Sequence, residues 1–224
     1  MFIFRNIKLL LACAIWAIAL SAYSLPVNNS PDTLVFPNKV IGSSLSPSEL
    51  EQTIHNIIAN PAVKAKNLDV EKLRWLISES ERLSYSKGIA IAKDMLGVIM
   101  RDREEYAKAI ELHESALAHA RNDTIILLSV LNNLGVVYRR LDKPRQALDY
   151  HMQALKLADS YKEMPDVALR SLCIALNSIG NINLTLNQPT KALEVFNQSL
   201  ILEQQRKNDL GIAINYENIG LDLS

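Results

Sequence analysis

From Ser46 onward, apolar residues recur every three to four positions, and no segment shows the alternation of a half-buried β-strand. The run Ser46-Pro47-Ser48-Glu49 combines an N-cap serine, a proline in the first turn and a capping-box glutamate, so a helix is predicted to begin there. Asn60-Pro61 is expected to end that helix, and a second helix is expected over 68–84. The chain is therefore predicted to be helical from residue 47 onward.

The first 24 residues have a different pattern, in which two basic residues precede the uninterrupted apolar run 9–20. Ala22 and Ser24 then place small side chains at the −3 and −1 positions of a cleavage site. This order is typical of a secretory signal peptide, and the run is short for a membrane span. An uncleaved anchor is the alternative. Residues 25–46 contain three prolines and no apolar period, which predicts a linker.

The charge balance excludes a strongly basic nucleic-acid-binding protein. Lysine plus arginine equals aspartate plus glutamate, at 24 each, and the leader 1–24 holds two basic residues and no acidic one. Its removal leaves 22 basic against 24 acidic residues, a net charge of −2. It also leaves Cys173 as the single cysteine, which is interpreted as a small buried residue since it has no partner for an intramolecular disulfide.

The glycines mark an internal repeat, because six of the seven keep one register. An aliphatic residue precedes four of them at intervals of 38, 45 and 40 residues, and two more lie nine residues earlier: Gly97, Gly135, Gly180, Gly220, Gly88 and Gly211. Alanine follows the glycine after 12 residues, a ring after 16 and another small residue after 19: Ala109, Ala147, Ala192; His113, His151, Phe196; Ala116, Ala154, Ser199. Glycine facing alanine would allow two helices to approach closely, with larger residues packed around them. Pro144 and Pro189, each nine residues after its glycine, mark where the second helix of two of the units is expected to begin.

This register resembles the tetratricopeptide repeat. The best unit consists of Leu131, Leu134, Gly135, Tyr138, Ala147, His151 and Ala154. The resemblance implies an all-α fold, a right-handed α-solenoid of helix–turn–helix repeats, with three complete repeats and a truncated fourth over 88–224. Residues 47–87 would form a helical lead-in or a degenerate repeat. The long repeats are similar to those of bacterial sensory and regulatory proteins.

No constellation for catalysis, a cofactor or a metal ion is found in the sequence. His113-Glu114 begins like a zinc-protease helix, but Leu117 stands where the second histidine would be. His113 and His151 share the repeat position of Phe196, which predicts core rings rather than ligands. A non-enzymatic chain is therefore expected.

The resemblance implies a concave groove lined by the first helices of successive repeats. Carried onto this sequence, the groove residues would be Asp94, Val98, Arg101, Asn132, Val136, Arg139, Arg140, Asn177, Asn181 and Leu184. Asn132 and Asn177 would hydrogen-bond a peptide backbone, and Arg139 and Arg140 would meet a carboxylate. The alternative is that these are ordinary polar residues on a solvated face. Asp94 and Val98 replace the lysine and asparagine of chaperone-binding members, so no chaperone tail is expected.

The function expected from this resemblance is peptide or protein binding, as the periplasmic sensory part of a longer signalling protein. The last helix lacks a partner, which suggests a fragment or an end covered by another molecule. A diguanylate cyclase or histidine kinase output domain would then follow. The alternative function is that of a structural scaffold in an envelope complex. The alternative location is the inner membrane, to which the protein would be anchored while facing the periplasm. Membrane contact is expected only through the leader or a downstream segment, and no nucleic-acid partner is expected.

Overall fold

A computed structural model describes residues 42–59, 69–120, 123–158 and 165–222. The chain divides into two compact units, with the boundary along the chain between Glu79 and Ser80. The predicted signal peptide and residues 25–41 of the predicted linker lie outside the described residues. The helices are α1 Pro47–Ala59, α2 Val70–Arg82, α3 Ser86–Asp102, α4 Tyr106–His119, α5 Thr124–Arg140, α6 Pro144–Ala158, α7 Asp166–Thr185, α8 Pro189–Gln205 and α9 Asp209–Asp222. Since the described residues contain no strand, the predicted all-α class is confirmed.

In the first unit, α1 begins at the predicted capping box. The backbone N–H of Ser46 donates to Glu49 Oε2 at 2.8 Å, and the N–H of Glu49 donates to Ser46 Oγ at 3.3 Å. These two bonds satisfy N–H groups that have no partner inside the helix. The helix ends at Ala59, directly before Asn60-Pro61, as predicted.

The last residues of the predicted linker pack against α2. Trp75 Nε1 donates to the carbonyl oxygen of Ser43 at 3.2 Å, and the N–H of Leu45 donates to Glu79 Oε2 at 2.6 Å. Leu45 itself is only 2% exposed. The sequence pattern did not reveal this packing, because one buried leucine in an irregular segment has no period.

The second unit is a series of helical hairpins, α3 with α4, α5 with α6 and α7 with α8, followed by α9 on α8. The first helices of successive hairpins also contact one another, α3 with α5 and α5 with α7. Pro144 and Pro189 are the first residues of α6 and α8, as predicted. Each second helix also packs against the next first helix, α4 against α5 and α6 against α7. Hairpins stacked in this way are the architecture expected of an α-solenoid.

The tight turns of the second unit each place one residue in the left-handed region. Within the hairpins this residue lies seven positions after the repeat glycine, and its φ is 63° at Glu104, 55° at Asp142 and 57° at Asn187. Ser84 and Lys207, four positions before Gly88 and Gly211, have φ of 53° each. The turn geometry therefore repeats with the glycine register.

The helix α7 is long and apolar enough to cross a membrane by length and composition. However, it contacts α5, α6 and α8, and ten of its residues are buried. Its apolar composition thus follows from its place between three neighbouring helices.

Candidate binding surface

In each of the three hairpins, the glycine of the first helix lies under a ring from the second helix. A Cβ added to Gly97 would stand 2.7 Å from His113 Cε1, and one added to Gly135 would stand 2.5 Å from His151 Nε2. Gly180 has the same relation to Phe196. The atoms nearest to each added Cβ belong to the ring, so the ring, four residues after the alanine, fills the space left by the missing side chain.

The two histidines in this register are core residues, as predicted, since both are fully buried. His113 Nδ1 donates to Asp94 Oδ1 at 2.7 Å, and His151 Nδ1 donates to Asn132 Oδ1 at 3.1 Å. Burial, with a smaller contribution from the charge of Arg139, lowers the pKa of His151 to about 3. His151 is therefore neutral at ordinary pH and orients the Asn132 amide.

In each hairpin, the residue three positions before the glycine of the first helix also hydrogen-bonds to the first helix of the next repeat. Asp94 accepts a bond from Ser129 Oγ at 3.1 Å and two from Asn133 Nδ2 at 3.0 Å. Burial alone would raise the pKa of Asp94, but hydrogen bonds and the charge of His113 hold it below its usual value. The carboxylate thus joins α3 to both α4 and α5.

Asn132 and Asn177 take the same position in the next two repeats. Asn132 Nδ2 donates to the carbonyl oxygen of Ser171 at 2.8 Å, which joins α5 to α7. Asn177 Nδ2 donates to Ser199 Oγ at 2.8 Å, and Asn177 Oδ1 accepts from Asn218 Nδ2 at 3.3 Å. We call Asp94, Asn132 and Asn177 with these partners the polar ladder.

The predicted groove residues divide into two groups by exposure. Asp94, Arg101, Asn132, Val136 and Asn177 are between 3% and 7% exposed, and three of them belong to the polar ladder. The structure gives those three side chains partners within the chain, while their contact with a ligand stays a prediction. The half-buried members are named here the inner surface: Val98, Arg139, Arg140, Asn181 and Leu184.

Asp102 lies beside the inner surface and was not among the predicted residues. Its Oδ1 is 2.9 Å from Arg101 Nη2 and 3.3 Å from Arg140 Nη2. The sequence contains a signal for this contact, because Asp102 and Arg140 each lie five residues after their glycine. Residues at equal offsets in adjacent repeats become neighbours when the first helices pack side by side.

The described residues contain no group of three His, Cys, Asp or Glu side chains that would hold a metal ion. Cys173 is 1% exposed, as its interpretation as a buried residue predicts. Burial, followed by the nearby charge of Glu203, raises the pKa of its thiol to about 12. The thiol is therefore protonated and lacks the thiolate that cysteine chemistry requires.

Hairpins that pack through their first helices define a helical repeat protein. Residues 88–160 of this chain match the model of one family of such repeats, the tetratricopeptide repeat. This confirms the resemblance seen in the glycine register. Modules of this family generally bind protein or peptide partners and are generally not catalytic.

Two solved structures of low sequence identity are similar to this chain. BtubC from P. vanneervenii is 18% identical, with a TM-score of 0.58 over 77% of this chain and 65% of BtubC, and shows the fold. This chain therefore spans 65% of the BtubC structure. MamA is 18% identical, with a TM-score of 0.44 over 71% of this chain and 92% of MamA. No curated protein sequence matches the chain.

Proposed function

We propose that this chain is an exported, non-catalytic module that binds a peptide or protein segment along its inner surface. The observation that carries the proposal is the division of the predicted groove residues on the first helices by burial. The polar ladder joins neighbouring helices, whereas Val98, Asn181 and Leu184 are only half-buried. Backbone and side-chain groups at such positions suit an extended segment that crosses several hairpins.

Asn181 and Asn197 provide a matched pair of variants for testing this surface. Asn181 Nδ2 on α7 donates to the carbonyl oxygen of Asn177 at 3.0 Å, and Asn197 Nδ2 on α8 donates to that of Leu193 at 2.9 Å. The two side chains thus make the same bond to their own helix, one on a first helix and one on a second. Substitution by arginine removes the same local bond in both.

The experiment selects binders from a displayed library of random peptides and measures their affinity by fluorescence anisotropy. We expect Asn181→Arg to weaken binding at least about tenfold, since a bulky charge then enters the contact surface. We expect Asn197→Arg to bind like the unmodified chain. Equal affinities for both variants, or the absence of any binder, would refute binding along the inner surface.

We also propose that the module is periplasmic and is the sensory part of a longer signalling protein. The support is the signal-peptide pattern of residues 1–24 and the resemblance of the long repeats to bacterial sensory proteins. Fusion of residues 1–24 to alkaline phosphatase, which is active only after export, tests the compartment. A downstream reading frame with neither a membrane helix nor an output domain would contradict the signalling role.

A further inference from the structure

Two arginines on neighbouring first helices share one carboxylate oxygen. Nε and Nη2 of Arg101 each lie 2.9 Å from Asp102 Oδ1, and Nη2 of Arg140 lies 3.3 Å from the same atom. Two guanidinium groups against one carboxylate leave this Arg101–Asp102–Arg140 cluster with an excess of one positive charge. Guanidinium groups pair best with carboxylates through two parallel N–H bonds to two oxygens, and this arrangement does not provide that for Arg140.

The members of the cluster differ in exposure. The side chain of Arg101 is 7% exposed, that of Arg140 is 28% exposed and that of Asp102 is 51% exposed. Burial lowers the pKa of Arg101, Asp102 opposes this effect, the nearby charge of Arg140 adds to it, and the charge of Asp94 makes a smaller opposing contribution. A second anion at the cluster would therefore stabilise guanidinium groups that Asp102 compensates only in part.

We propose that the Arg101–Asp102–Arg140 cluster binds an acidic side chain of the polypeptide recognised by this module, an inference that rests on the proposed function. In the free protein Asp102 holds both guanidinium groups and competes with the incoming carboxylate. On α7 the equivalent positions are Leu184 and Thr185, which are uncharged. The bound chain thus continues over a neutral surface, which favours an internal Asp or Glu over a terminal carboxylate.

The variant Asp102→Asn separates this competition from a general effect of charge. It removes the competing carboxylate, while Asp149→Asn on the second helix α6 changes the net charge by the same amount at an exposed position. The probe is a dye-labelled peptide of otherwise uncharged residues with two central glutamates and an amidated end, titrated at low salt where charge interactions are least screened. We expect Asp102→Asn to tighten binding about three- to fivefold, the range of a half-exposed ion pair, and Asp149→Asn to leave it unchanged.

The reverse change is Arg140→Gln, which should weaken binding of the glutamate peptide by a similar factor. Lys156→Gln, at an exposed position of α6, is its charge-matched control. A second peptide, with glutamine in place of glutamate and a free terminal carboxylate, distinguishes the two sources of the anion. Tighter binding of that peptide would refute recognition of an internal acidic residue.

The proposal is overturned if Asp102→Asn fails to tighten binding or if Asp149→Asn tightens it equally. The proposed function is tested separately. Library peptides that bind in an Asn181-dependent manner without any preference for acidic residues would leave the proposed function intact and exclude the acidic ligand. Absence of any Asn181-dependent binder would instead remove the function on which this inference rests.

Discussion

The glycine–ring contact predicts that glycine-to-alanine substitution has opposite effects at two positions of one register. A Cβ at Gly135 would stand 2.5 Å from His151 Nε2, whereas among the described residues nothing beyond the neighbouring backbone of α9 comes within 4 Å of one added at Gly220. Alanine is more favourable than glycine inside a helix by about 1 kcal/mol. Gly220→Ala should therefore stabilise the protein by up to about 1 kcal/mol, with a smaller gain because the site lies in the last turn of α9.

At Gly135 the same gain is opposed by overpacking. The His151 ring is fully buried, so it cannot turn away into solvent. Extra carbon in a packed core costs about 1–3 kcal/mol, which exceeds the gain in helix propensity. We expect Gly135→Ala to lower the free energy of unfolding by about 1 kcal/mol, and the bulkier Gly135→Leu to lower it further.

A double-mutant cycle isolates the contact from the change in helix propensity. His151→Ala costs stability by itself, but it vacates the space over Gly135. In that background Gly135→Ala should become neutral or stabilising. The free energies come from urea unfolding followed by far-ultraviolet circular dichroism. Equal destabilisation in both backgrounds, or a Gly220→Ala variant as unstable as Gly135→Ala, would refute the contact as the cause.

Two further predictions concern titration and turn geometry. The pKa of His151 is about 3 in the folded protein and about 6.5 in the unfolded chain. Below pH 6.5 the histidine of the unfolded chain therefore takes up a proton that the folded protein does not, so stability should fall by about 2 kcal/mol near pH 5. The variant His151→Phe, which has the ring found at Phe196, should flatten that part of the stability curve, and an unchanged slope would contradict this. Glu104→Gly should raise Tm by more than Asn187→Gly, because asparagine tolerates positive φ better than glutamate. Equal shifts would count against strain at Glu104.

The repeat could be predicted because its signals are local and recur at fixed offsets. Pro144 and Pro189 mark helix starts since proline suits the first turn, and the capping box at Ser46 and Glu49 needs only three residues of separation. Glycine inside a helix is unfavourable unless a neighbour needs the space. Its recurrence therefore indicates tertiary packing that a single helix would not reveal.

The contact over the glycine could not be predicted at the same level. Alanine and the ring follow the glycine by 12 and 16 residues, one helical turn apart on the same face of the second helix. Which of them meets Gly135 depends on how far the two helices slide along each other. That translation is set by the whole hairpin, so the sequence identified the contacting face but not that the ring comes nearest to the glycine.

The burial of Asn132 and Asn177 was harder still to predict, because it depends on partners about one repeat away. Asn132 bonds to the backbone of Ser171, 39 positions later, and that bond has no sequence signature. An asparagine that binds a ligand and one that joins two helices have the same residue type at the same offset. The sequence therefore left both interpretations open for Asn132 and Asn177.

Within the register, however, part of the polar ladder follows a rule. Asn133 and Asn218 lie two positions before their glycines, and each donates to the residue three positions before the preceding glycine, Asp94 or Asn177. Ser178 holds the equivalent position in the third repeat, is fully buried, and its Oγ has no hydrogen-bond partner among the described residues. Its shorter side chain explains why Asn132 bonds to a backbone carbonyl instead. Offsets between adjacent repeats thus predict inter-helix bonds wherever the side chain is long enough to cross, as with Asp102 and Arg140.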